Sequence, residues 1–106
     1  MTWLLLFVAG LLEIGFAVGL KYSEGFSRLL PTLGMLGAGG LSFYLLSVSM
    51  KSLPVGTAYA VWTGIGAAGT AVIGILLLGE STNALRVLSL SLIVAGVVGL
   101  RLSSGG

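Results

Sequence analysis

Residues 2–20 read TWLLLFVAGLLEIGFAVGL, an apolar run that holds a single ionisable side chain, Glu13. A helix rises about 1.5 Å per residue and the hydrocarbon core of a bilayer is about 30 Å thick, so roughly 20 such residues cross it. The run reads as a transmembrane helix with a carboxylic acid near its middle. A cleavable leader is the competing reading, but the stretch lacks a positive n-region and carries an acid inside its apolar part. The polar residues Lys21, Tyr22, Ser23, Glu24 and Gly25 end it.

Three further apolar runs follow. A second span is expected over about 29–50, with Pro31 in its first turn, where a missing N–H breaks no intrahelical bond; Lys51 and Ser52 close it. Pro54 opens a third span that runs to about 79. Glu80, Ser81, Thr82 and Asn83 make the next polar turn. The fourth apolar run, over 87–100, is bracketed by Arg86 and Arg101, which reach the headgroups by snorkelling and extend the span to about 85–102. Apolar character is continuous rather than alternating, and four strands could not close a membrane barrel. The fold class is therefore an all-α membrane protein, a single four-helix domain over 1–106 with spans near 2–20, 29–50, 54–79 and 85–102.

Composition agrees. Of 106 residues, 57% are hydrophobic and 8% charged, where a soluble domain carries about 25% charged residues. The mean hydropathy is +1.15. Four spans use about 80 residues and leave only short connections, so function is expected inside the helices and the lipid bilayer is the surrounding partner. A formal charge of +2 rests on five basic and three acidic residues, which is no argument for nucleic-acid binding. The absence of Cys and His excludes disulfides, zinc sites, haem attachment and His- or Cys-based catalysis. No metal, cofactor or enzymatic activity is expected. Glycine contributes 18 residues, and in membrane helices small residues permit close backbone approach. Gly64 and Gly66 are candidates for either tight packing or a hinge in the third helix.

Orientation is balanced. Four spans put Lys51 and Arg101 on one side and Lys21, Arg28 and Arg86 on the other, which is almost no bias under the positive-inside rule. Dual topology is the expectation, with two oppositely inserted copies forming an antiparallel homodimer about a pseudo-two-fold axis in the membrane plane. A fixed topology with a weak signal is the competing reading.

Glu13 carries most of the functional argument. An ionisable group at mid-depth costs at least about 2.5–3.5 kcal/mol on insertion scales. Burial disfavours the ionised form of a carboxyl group, so an acid at this depth is suited to taking up and releasing a proton. No Lys or Arg lies within the hydrocarbon depth of any span, which points to a substrate cation as the missing countercharge. A neutral carboxylic acid hydrogen-bonded to a neighbour is the structural alternative. Ala9, Gly10, Phe16 and Ala17 flank Glu13 at helical spacing and leave room beside it. Tyr59, Trp62, Thr63 and Gly66 fall at i, i+3, i+4 and i+7 on the third helix, and Ser42 is the polar residue of the second helix nearest mid-depth. Rings beside a carboxylate suit a cation. Trp3 and Tyr22 read as interfacial anchors.

These residues resemble the small multidrug resistance family. The resemblance covers essentially the whole chain: the single acid of the first helix, Lys21 with Gly25 and Phe26, Pro31, the third-helix stretch from Pro54 to Gly66, and the run from Ser89 to Val97. Lys51, Thr57 and the junction of Gly66 with Ala67 are similar to the guanidinium-exporter subtype. The resemblance implies an antiparallel homodimer in the bacterial inner membrane that exchanges protons for a guanidinium-like cation by alternating access. It further implies that Glu13 of both subunits binds protons or substrate, that Ser42 and Trp62 orient the carboxylates, that Tyr59 lines and gates the site, and that the fourth helix forms the seam. Ser89, Leu92, Gly96 and Gly99 would lie on that seam, where small residues favour a close-packed face. The chain departs from the subtype at Phe16, where guanidinium exporters carry Trp, so an indole donor is lost. Proton-coupled export of quaternary ammonium or other lipophilic cations is the alternative within transporters. A passive channel and an accessory membrane subunit are the readings from other classes.

Overall fold

The structure, a computed structural model, describes residues 1–103; the last three residues of the expected domain over 1–106 lie outside the described residues. Its elements are helices α1 (Thr2–Tyr22), α2 (Leu29–Ser49), α3 (Val55–Leu78) and α4 (Ala84–Ser103), with no strand among the described residues. Each is long and apolar enough to cross a membrane.

Local chemistry sets the helix ends. α1 continues past the apolar run through Lys21 and Tyr22, because Ser23 closes its last turn. The Ser23 N–H donates to the Gly19 carbonyl at 2.9 Å and its hydroxyl donates to the Leu20 carbonyl at 2.7 Å. The chain then turns through Glu24, Gly25 and Phe26, all at positive φ. Pro31 sits in the first turn of α2, as its missing donor allows. Pro54 stands just ahead of α3 as its N-cap. α3 ends in a left-handed Gly79, after which the Glu80 N–H returns to the Gly74 carbonyl at 3.1 Å in a Schellman-type closure. Asn83 starts α4: its Oδ1 accepts the Arg86 N–H at 2.9 Å, the bond of an N-cap side chain.

The four helices form a thin slab, 43 × 35 × 17 Å overall. α1 is central and packs on both α2 and α3, while α4 packs along α3 at the outer edge and has no buried residue. Lipid tails are as apolar as leucine, so what holds such helices together is close packing and interhelical hydrogen bonds. Glycine supplies the closeness. A Cβ on Gly10 would stand 2.6 Å from Ile65 Cγ2, and one on Gly64 would stand 2.5 Å from Val97 Cγ2. A core of Leu6, Ala9, Leu46, Ala58, Val61 and Trp62 closes the half of the slab nearest the N-terminus. Arg101 lies over the Trp3 ring at 4.8 Å, which brings the end of α4 to the start of α1 on that same side. The opposite half stays packed between α1 and α2, at Gly19 and Met35, and opens beside α3.

Candidate functional site

The open half contains a cleft of about 570 Å³ between α1, α3 and the start of α4. That is room for a small cation with several waters, each of which takes about 30 Å³. Glu13, Tyr59, Trp62, Thr63 and Gly66 line its inner end, and Lys21, Glu80 and Arg86 line its outer end. The helical repeat that puts Tyr59, Trp62, Thr63 and Gly66 on one stripe thus turns that stripe toward Glu13.

Glu13 reaches the cleft because α3 has no side chain at Gly66. A Cβ there would stand 2.7 Å from Glu13 Cγ and 3.2 Å from Glu13 Cβ. The carboxylate makes no hydrogen bond or ion pair with any described residue. Its oxygens are therefore available to a ligand, and the adjoining rings and hydroxyl offer cation–π contact and a neutral polar partner.

Behind the cleft wall, three helices are tied by one serine. The Ser42 hydroxyl donates to the Ala9 carbonyl at 2.7 Å and accepts the Trp62 indole N–H at 2.9 Å, with Ser42 fully buried. A hydroxyl has one proton to give, and here it goes to the α1 backbone rather than to Glu13. Ala9 lies one turn before Glu13, so the Ser42 and Trp62 bonds end on the α1 turn that precedes the acid. The Trp62 ring also meets Tyr59 at 5.6 Å and Phe43 at 5.5 Å between centroids, both tilted. Tyr59 is 54% exposed and forms the accessible edge of this aromatic group.

Two of the residues singled out beside Glu13 face elsewhere. Phe16 packs on α2, its ring 2.6 Å from the position of a Cβ on Gly39, and Gly10 meets Ile65 at the crossing of α1 and α3. Neither lines the cleft. Gly64 and Gly66 both serve close packing within an unbroken α3, the first toward Val97 of α4 and the second toward Glu13. Ser89, Leu92, Gly96 and Gly99 all lie exposed on α4, with nothing within 4 Å of a Cβ on either glycine.

Sequence reasoning missed Phe43, Thr70 and the charged outer end. Thr70 continues the α3 stripe four residues past Gly66, and its buried hydroxyl has no hydrogen-bond partner among the described residues. Extending the helical repeat one turn would have found it. Phe43 gives no such signal, since its tilted contact with Trp62 depends on how α2 meets α3.

The chain matches the profile described as Small Multidrug Resistance protein over residues 1–93. It is 62% identical over 104 residues to a protein of Yersinia pseudotuberculosis named guanidinium exporter, covering 98% of this chain and 100% of the relative. Proteins of the same name from Salmonella typhimurium and Escherichia coli K12 are 62% and 61% identical, each over 98% of this chain and 99% of the relative. The chain belongs to the small multidrug resistance family, and with its four apolar helices it is a multi-pass transport protein of the bacterial inner membrane.

Proposed function

From that membership we propose that the protein exports guanidinium or small guanidinyl cations in exchange for protons, with cation and protons competing for Glu13. The observation that carries this reading is the Glu13 carboxylate, unpartnered in a cleft with Tyr59, Trp62 and Thr63. The relatives named guanidinium exporter support the choice of substrate. Guanidinium-like groups stay charged at any physiological pH and cannot cross lipid as neutral molecules. A carboxylate matches their planar fork of N–H donors.

Coupling needs only mutual exclusion. If Glu13 holds either protons or the cation, and reorientation requires one of them bound, protons moving down their gradient drive the cation out. The core that closes one half of the chain and the cleft that opens the other support access from one side at a time.

The working unit in this proposal is an antiparallel homodimer. Its support is the near-even distribution of Lys and Arg between the two sides, together with the exposed α4 face at Ser89, Leu92, Gly96 and Gly99. The two Glu13 side chains would then meet the substrate from opposite faces.

A second reading, export of quaternary ammonium cations, draws on Phe16, where guanidinium exporters of the family carry Trp. Phe16 faces Gly39 and not the cleft, which weakens that argument. Solid-supported-membrane electrophysiology on reconstituted protein separates the two. Guanidinium pulses should give currents that Glu13→Gln abolishes; currents with a tetraalkylammonium alone would move the assignment to the second reading.

A further inference from the structure

We propose that Glu80, at the outer end of the cleft, is a second cation-binding position, where a guanidinium substrate exchanges with the guanidinium group of Arg86 on its way to or from Glu13. The inference rests on the reading of the protein as a guanidinium exporter and names a step in the substrate's path.

The outer end of the cleft holds two cations, Lys21 and Arg86, and one anion, Glu80. A cationic substrate passing there meets repulsion from both bases, and Glu80 is the side chain that offsets it. Glu80 already binds the chemistry in question: Arg86 Nη2 donates to its Oε1 at 2.6 Å. The contact uses one arm of the guanidinium fork and one carboxylate oxygen, while Glu80 Oε2 has no partner among the described residues. A carboxylate half-used by one guanidinium accepts a second, and the side chain is 43% exposed, so an incoming cation can reach it. Exposed ion pairs of this kind stabilise a fold little, which suits a contact that must open and close.

Backbone geometry holds the pair at the mouth. Glu80 leaves α3 directly after the left-handed Gly79, its N–H bonded to the Gly74 carbonyl at 3.1 Å. The side chain then folds back over Gly74, where a Cβ would stand 2.5 Å from Glu80 Cδ and 2.8 Å from Oε2. Arg86 is set in the first turn of α4 by the Asn83 cap, and Asn83 is itself bonded to the Ser81 hydroxyl at 2.9 Å. Carboxylate and guanidinium thus start from two capped helix ends joined by the short turn over 79–83, and both line the cleft mouth.

The test measures KM and maximal current for guanidinium in proteoliposomes for the wild type, Glu80→Gln, Arg86→Gln and the double variant, at low ionic strength. Glu80→Gln should raise KM about three- to fivefold, with a smaller change in maximal current. Arg86→Gln should lower KM, because it frees the whole carboxylate. The double variant restores the net charge of the mouth, yet its KM should stay raised. A double variant with wild-type KM would overturn the proposal, since net charge alone would then explain the effect. Should Glu80→Gln fail to fold, Arg86→Gln decides: an unchanged or raised KM overturns the proposal. Guanidinium currents in the wild type with an unchanged KM in Glu80→Gln would remove Glu80 alone. Absence of guanidinium currents in the wild type would remove the exporter reading itself.

Discussion

Glu13 crosses α3 at Gly66, with its Cγ 2.7 Å from where a Cβ on that glycine would stand. The acid of the first helix and the glycine of the third-helix stretch are thus one packing unit.

Gly66→Ala should displace the Glu13 side chain and weaken guanidinium binding. Overpacking of a close contact costs about 1–3 kcal/mol, which corresponds to roughly 5- to 150-fold in affinity if all of it falls on the bound state. Isothermal titration of the purified protein with guanidinium measures it, and an unchanged affinity would show that Glu13 does not need this crossing.

Ser42→Ala removes the acceptor of the Trp62 indole N–H and leaves a buried donor unpaired. Such a loss costs about 1–3 kcal/mol in a buried site, although interhelical bonds in membranes average nearer 0.6 kcal/mol. Thermal unfolding in detergent should show Ser42→Ala and Trp62→Phe each destabilising, with the double variant falling short of their sum. Strict additivity would mean that the two side chains are not energetically coupled.

Gly64 and Gly96 should fail in different ways when enlarged. Gly64 packs on Val97 within the chain, whereas Gly96 faces open space. Gly64→Val is expected to lower thermal stability of the single chain. Gly96→Val is expected to leave the helices intact, by circular dichroism, while chemical cross-linking of dimers in the membrane is lost. Dimers that survive Gly96→Val would place the seam elsewhere than on this face of α4.

The affinity for guanidinium should fall as pH is lowered. A deprotonated carboxylate binds the cation and a protonated one does not, so each competing proton weakens apparent binding by up to about tenfold per pH unit in the acid limb. Glu13→Asp should keep transport with a displaced pH profile. Binding that is flat across pH 5 to pH 9 would separate the proton from the substrate site.

Much of the fold is legible in the sequence because a membrane imposes a simple code. Apolar runs of the right length, interrupted at Ser23, Ser52 and the Glu80–Asn83 turn and opened near Pro31 and Pro54, already delimit α1 to α4. The i, i+3, i+4, i+7 spacing of Tyr59, Trp62, Thr63 and Gly66 places these residues on one stripe, and Glu13 marks itself by its cost in hydrocarbon. What the sequence leaves open are relations between helices. Nothing in the spacing says that the Ser42 proton goes to Ala9, that Phe16 turns to Gly39, or that Phe43 meets Trp62, because these depend on crossing angles and depths set by glycine contacts. The charged mouth is hidden for the same reason: Lys21, Glu80 and Arg86 look like separate loop charges until α1, α3 and α4 bring them to one end of the cleft.

Proton-coupled exchange at Glu13 is tested most directly in sealed proteoliposomes loaded with a pH-sensitive dye and given an outward guanidinium gradient with no initial pH difference. Efflux of guanidinium should drive protons inward and acidify the lumen in the wild type, and Glu13→Gln should abolish both movements. Guanidinium efflux from the wild type without acidification, or coupled acidification that persists in Glu13→Gln, would contradict it.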